Sequence, residues 1–146
     1  MRAFRVFVAV LCLAVSLLAA ESPFSGTWKF KPSQGDSTKA TAKLEADEHN
    51  FTVNQQMVDV GGQTTSFKFQ AKFDGKDYPV SGYLGYDSAS ILRVSEHELK
   101  VTWKNAGKRV GESDIRVSED GKTTTLTYTD YSESTPQQHT SLWEKQ

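Results

Sequence analysis

From residue 26 onward the chain alternates between apolar and polar side chains with a period of two. Phe67, Phe69, Ala71 and Phe73 are interleaved with Lys68, Gln70 and Lys72. Leu99, Val101 and Trp103 are interleaved with Lys100 and Thr102, and Trp28 and Phe30 with Thr27, Lys29 and Lys31. Successive strand side chains point to opposite faces, so each segment buries one face and wets the other. That pattern specifies antiparallel sheet with one solvated side. Turn signals separate the runs: Asp74-Gly75 and Asp120-Gly121 suit tight hairpins, and Gly61-Gly62 and Asn105-Ala106-Gly107 look similar. The spacing predicts strands over 26–31, 39–46, 50–59, 63–74, 77–82, 88–95, 98–105, 107–118, 122–131 and 137–145. Tyr78-Pro79-Val80 is the weakest of them, because proline donates no ladder hydrogen bond and favours an edge or a bulge. No window has helical spacing.

This many short hairpin-linked strands must dispose of their edges by closing or by stacking two sheets. The expected fold is all-β, an antiparallel up-and-down β-barrel of about 8–10 strands, with a β-sandwich as the alternative. A barrel of that size either fills with side chains or holds one small ligand.

The first twenty residues read differently. Arg2 and Arg5 open the chain, Val6 to Val15 is almost unbroken in its apolarity, and Ala19-Ala20 precedes the polar Glu21-Ser22. This is the layout of a secretory signal peptide over 1–20, leaving residues 21–146 as the barrel domain. The run is short for a membrane span, which needs about 20 apolar residues, so no span is expected after cleavage; an uncleaved anchor is the alternative. Cys12 is the only cysteine and lies within this segment. The remainder can form no disulfide and must rely on its core. The expected location is secreted or periplasmic.

All eighteen acidic residues follow position 20, while two of the seventeen basic ones precede it. The remainder is mildly acidic and carries no basic field for nucleic acid.

The segment Phe24-Ser25-Gly26-Thr27-Trp28-Lys29-Phe30 resembles the opening of the lipocalin and fatty-acid-binding (calycin-type) barrels, whose first strand begins with glycine, one residue, then tryptophan. Gly26 and Trp28 are the matching structural-motif residues. The stretches Phe73 to Val80, Glu119 to Lys122 and Glu144 to Gln146 are similar to short secreted bacterial lipocalin-like proteins of unassigned function. The resemblance implies that Trp28 closes one barrel end beneath a basic residue from the late strands, either Arg116 or Lys145. Fatty-acid-binding barrels place a two-helix lid between their first strands. Here Pro32 to Lys39 is one short polar loop, which implies an open or loop-covered mouth.

Catalytic and metal chemistry find little support. His49, His97 and His139 lack metal-ligand spacing, and no cysteine or His-x-His partners them. No nucleophile elbow or phosphate-cradling glycine loop occurs. Asp74, Asp77, Asp87 and Asp130 form a carboxylate set only if the fold gathers them. The chain is therefore read as non-enzymatic, with no metal and no cofactor.

The aromatic residues carry more information. Trp28, Phe30, Phe51, Phe67, Phe69, Phe73, Trp103 and Tyr128 occupy the apolar phases of their strands. Such residues either fill a core or line a cavity. The expected ligand-binding set is Phe51, Gln55, Phe67, Phe69, Trp103 and Tyr128, with Ser113 and Arg93 as further inward polar candidates. Tyr78, Tyr83 and Tyr86 are placed to rim a mouth or to contact a protein. Two functions follow: a binding protein for a small, partly apolar ligand, or a filled barrel that docks on an envelope or secreted protein. Interior volume discriminates between them.

Overall fold

A computed structural model describes residues 21–82 and 85–146; the expected leader (1–20), Cys12 and Tyr83 lie outside the described residues. The strands are β1 (Gly26–Lys31), β2 (Lys39–Ala46), β3 (Asn50–Val58), β4 (Thr64–Lys72), β5 (Tyr78–Ser81), β6 (Ser88–Ser95), β7 (Glu98–Asn105), β8 (Lys108–Val117), β9 (Thr123–Asp130) and β10 (Gln137–Lys145). Each pairs antiparallel with its chain neighbour, and β1 also pairs with β10, closing a ten-strand barrel. The sandwich is thereby excluded. The described residues contain no helix.

The alternation sets which face is inside. Phe69 and Ala71 of β4, Leu99 and Val101 of β7, and Ile115 and Val117 of β8 are buried, while Lys68, Gln70 and Lys72 face solvent. The outer wall is the wet one. That is the reverse of a transmembrane barrel, which is apolar outside. No helix among the described residues is long and apolar enough to cross a membrane.

Closure centres on β1. Trp28 stands in register with Ala42 of β2 on one side and Lys145 of β10 on the other. Its indole is 2 % exposed, and its Nε1 donates to the Phe24 carbonyl at 2.9 Å. Phe24, 1 % exposed, tucks the entering chain under the same end. The Ser25 hydroxyl fixes that segment to β2 by accepting from the Ala46 amide at 3.0 Å. Lys145 reaches across the end, its Nζ 5.4 Å from the Trp28 ring centroid, within the range of a cation–π contact. Of the two basic candidates Lys145 takes this place, and Arg116 pairs with Glu98 at 3.0 Å.

Gly26 makes the arrangement possible. A Cβ there would meet Lys145 Cε at 2.5 Å, and its φ of +134° is strained for any L side chain.

The wall is thinnest at β5. Lys68↔Ser81 and Phe69↔Val80 join it to β4, and Tyr78↔Ala89 and Pro79↔Ser88 join it to β6. Pro79 limits the ladder, as its sequence implied.

Trp28→Ala removes a buried indole from this closed end and should cost about 3–5 kcal/mol, as large core truncations do. Thr27→Ala, one residue away on the wet face, should stay within about 0.5 kcal/mol. Urea melts of both variants check this; equal small losses would mean that the strand phase is wrong.

Candidate functional site

The interior is only partly filled. On β2 the inward positions Ala40 and Ala42 are small, and on β8 so are Gly111 and Ser113. The aromatic residues of β3 and β7 stand on the strands paired with these two. Two compartments lie inside the barrel. The deeper, of about 80 Å³, lies against Trp28, Phe51, Phe69, Ile115, Thr124 and Trp143. The outer, of about 230 Å³, is lined by Met57, Thr65, Tyr86, Ser113 and Tyr128. Gln55, Phe67, Trp103 and Leu126 border both compartments and form the waist between them.

The six residues expected to line a pocket all border this space. Phe51 and Phe69 face the deep part, Tyr128 the mouth, and Gln55, Phe67 and Trp103 the waist. Trp103 is fixed on several sides. Its ring lies 5.7 Å from Phe67 and 5.9 Å from Phe69, and Tyr86 stacks on it at 4.9 Å with planes 26° apart. Its Nε1 donates to the Ser113 hydroxyl at 2.8 Å. A register shift between Trp103 and Lys104 marks a bulge at this point, a device that re-aims side chains at barrel rims.

The mouth loops are braced by backbone hydrogen bonding. The hairpin between β7 and β8 turns at Ala106 and Gly107, both with positive φ (48° and 77°). Asp87 Oδ2 accepts from the Ala106 amide at 2.7 Å, fastening this turn to the segment that carries Tyr86. That bond, with a second from the Ser88 side chain, holds the Asp87 carboxyl below its ordinary pKa. The loop over residues 32–38 is exposed and has no helix.

Other expectations resolve differently. Arg93 has the inward phase of β6 but lies outside the cavity. Its guanidinium sits 4.3 Å over the Phe73 ring and donates to the Asp47 carbonyl at 2.6 Å, at the end opposite the mouth. Tyr86 borders the mouth, whereas Tyr78 borders neither compartment and donates to Asp74 Oδ2 at 2.7 Å.

The four aspartates do not gather. Asp74 accepts from Lys76 and Tyr78, Asp77 pairs with Lys104, and Asp130 accepts from the Ser132 amide. Backbone donation from Lys76, then the Tyr78 hydroxyl, lowers the Asp74 pKa, and Ser132 does the same for Asp130. These are turn carboxylates. Among the described residues no group of three or more His, Cys, Asp or Glu is placed to hold a metal.

Sequence reasoning passed over Trp143 and Met57 and read the run Thr123 to Thr127 as strand surface, whereas Thr124 is buried and both it and Leu126 border the cavity. Trp143 follows Leu142, and two adjacent apolar residues leave the strand phase ambiguous; the structure puts Trp143 inside and Leu142 outside. Gly111 was also missed. It stands at an inward position where a Cβ would lie 2.5–2.8 Å from the Tyr128 ring and hydroxyl, so its missing side chain makes room for Tyr128.

No protein-family model matches the chain, and no curated protein matches it.

Gly111→Ala should cost about 1–3 kcal/mol through overpacking against Tyr128. In a Tyr128→Ala background the same change should cost markedly less, because the two side chains share one space. A double-mutant cycle by urea denaturation checks this; additive costs would place Tyr128 elsewhere.

Proposed function

We propose that this protein is an exported, lipocalin-like carrier that holds one small, partly apolar molecule inside its barrel. The observation that carries the reading is the space inside the barrel: an outer compartment at the mouth and a deeper one against Trp28, which share Gln55 and Trp103 in their walls. Its walls are mostly apolar and aromatic with a few placed polar groups, the usual make-up of a small-molecule site. Affinity would come from withdrawing an apolar ligand from water against Phe51, Phe67, Phe69 and Trp103. Gln55 and Ser113 would orient it.

A docking module with a filled barrel has no need of such a space, so the cavity favours the carrier. Among the described residues, the cavity walls carry no carboxylate, imidazole or amine. Export rests on Arg2, Arg5 and the apolar run to Val15. Kinship with lipocalin-type barrels is supported by Gly26, Trp28 and Lys145 acting together at the closed end.

Titration with N-phenylnaphthylamine, an uncharged fluorescent probe, tests the reading. The protein should bind it saturably with one site per chain. Plugging the waist with Gln55→Trp or the mouth with Met57→Trp should weaken binding by about tenfold or more, equivalent to at least 1.4 kcal/mol, with the β-sheet circular dichroism retained. Absence of saturable binding, or unchanged binding by both folded plugged variants, would overturn the carrier.

A further inference from the structure

The walls of the cavity specify the charge of its guest. Among the described residues, no aspartate, glutamate, lysine, arginine or histidine lines either compartment. The cations Lys145 and Arg93 are engaged with Trp28 and Phe73 at the closed end, and neither borders the space. A carboxylate drawn into the deep compartment would lose its water and gain no counter-charge, and an ammonium would do the same.

The polar groups that do face the space are neutral. Gln55 at the waist offers one amide donor group and one carbonyl acceptor. Deeper in, Thr124 is only 7 % exposed, and its Oγ1 is buried with no hydrogen-bond partner among the described residues. A hydroxyl left unpaired in an apolar interior is costly and points to a partner that completes it. Thr124 borders the deep compartment among Trp28, Trp143, Phe51 and Leu126. A hydroxyl or carbonyl oxygen of the guest supplies the missing partner at neutral charge.

We propose that the cavity selects an uncharged, elongated, mainly apolar molecule that carries a hydroxyl or carbonyl group into the deep compartment beside Thr124. This rests on the carrier reading and specifies its ligand class. Charge selection follows from the absence of any ionised group in the walls, and polar-end selection from Thr124 and Gln55.

Competition of decanol, decanoic acid and decylamine against N-phenylnaphthylamine at neutral pH tests the proposal, because the three share one chain length and differ in charge. Decanol should displace the probe at a concentration lower by about tenfold or more than either ion. Thr124→Val should shrink decanol's advantage, and Gln55→Lys should shift preference toward decanoic acid by placing a cation at the waist. If decanoic acid or decylamine displaces the probe as well as decanol does, the charge selection is wrong while the carrier stands. If the probe binds and decanol fails to displace it, the ligand class is wrong. If the probe itself does not bind, the carrier falls and this proposal with it.

Discussion

Everything in this molecule depends on β1 being paired on both sides. A sheet of ten strands with two free edges would expose unpaired backbone groups along each. β1 removes both edges by pairing with β2 and β10. The pairing is held in place by packing around one side chain. Trp28 is buried against the neighbouring strands, bonded through Nε1 to the Phe24 carbonyl and crossed by Lys145. Gly26 leaves the space through which Lys145 passes. Without a disulfide in the described residues, closure rests on this packing and on the ladder hydrogen bonds.

The same closed end explains why the opposite end can stay open. Large side chains gather at the floor, where Trp28, Phe51, Leu99, Val117 and Trp143 leave little room. Toward the mouth, the inward positions Gly111 and Ser113 of β8 are small, and Trp103 on the adjacent β7 packs beside them. The barrel is thus stable at one end and hollow toward the other. Gln55 and the unpaired Thr124 hydroxyl weaken the core as a core, and local violations of packing and polarity rules tend to fall at functional positions.

The fold was legible because strands such as β1, β4 and β7 carried their own phase. Lysine and glutamine alternating with phenylalanine in β4 leave one register that buries the phenylalanines, and a slip by one residue would bury Lys68 and Lys72. The turns were equally explicit, since Asp-Gly pairs dictate backbone geometry over a few residues. What the sequence left open was set by contacts across the barrel. Whether Lys145 or Arg116 crosses Trp28 depends on strand stagger, and Arg93 shares the inward parity of Ile91 yet emerges at the end opposite the mouth. Thr124 sits in a run of threonines whose individual phases carry no contrast. Gly111 shows its role only once Tyr128, two strand positions away across β9, is seen lying over it.

The closed barrel encloses a mainly apolar space above the Trp28 floor. Apolar cavities of this kind take up xenon. Crystals of the protein pressurised with xenon should show a bound atom between Phe51, Val53, Phe67 and Ile115, in the deep compartment. Xenon confined to the outer surface, with the space between those four side chains closed by their own rings and methyl groups, would contradict the account.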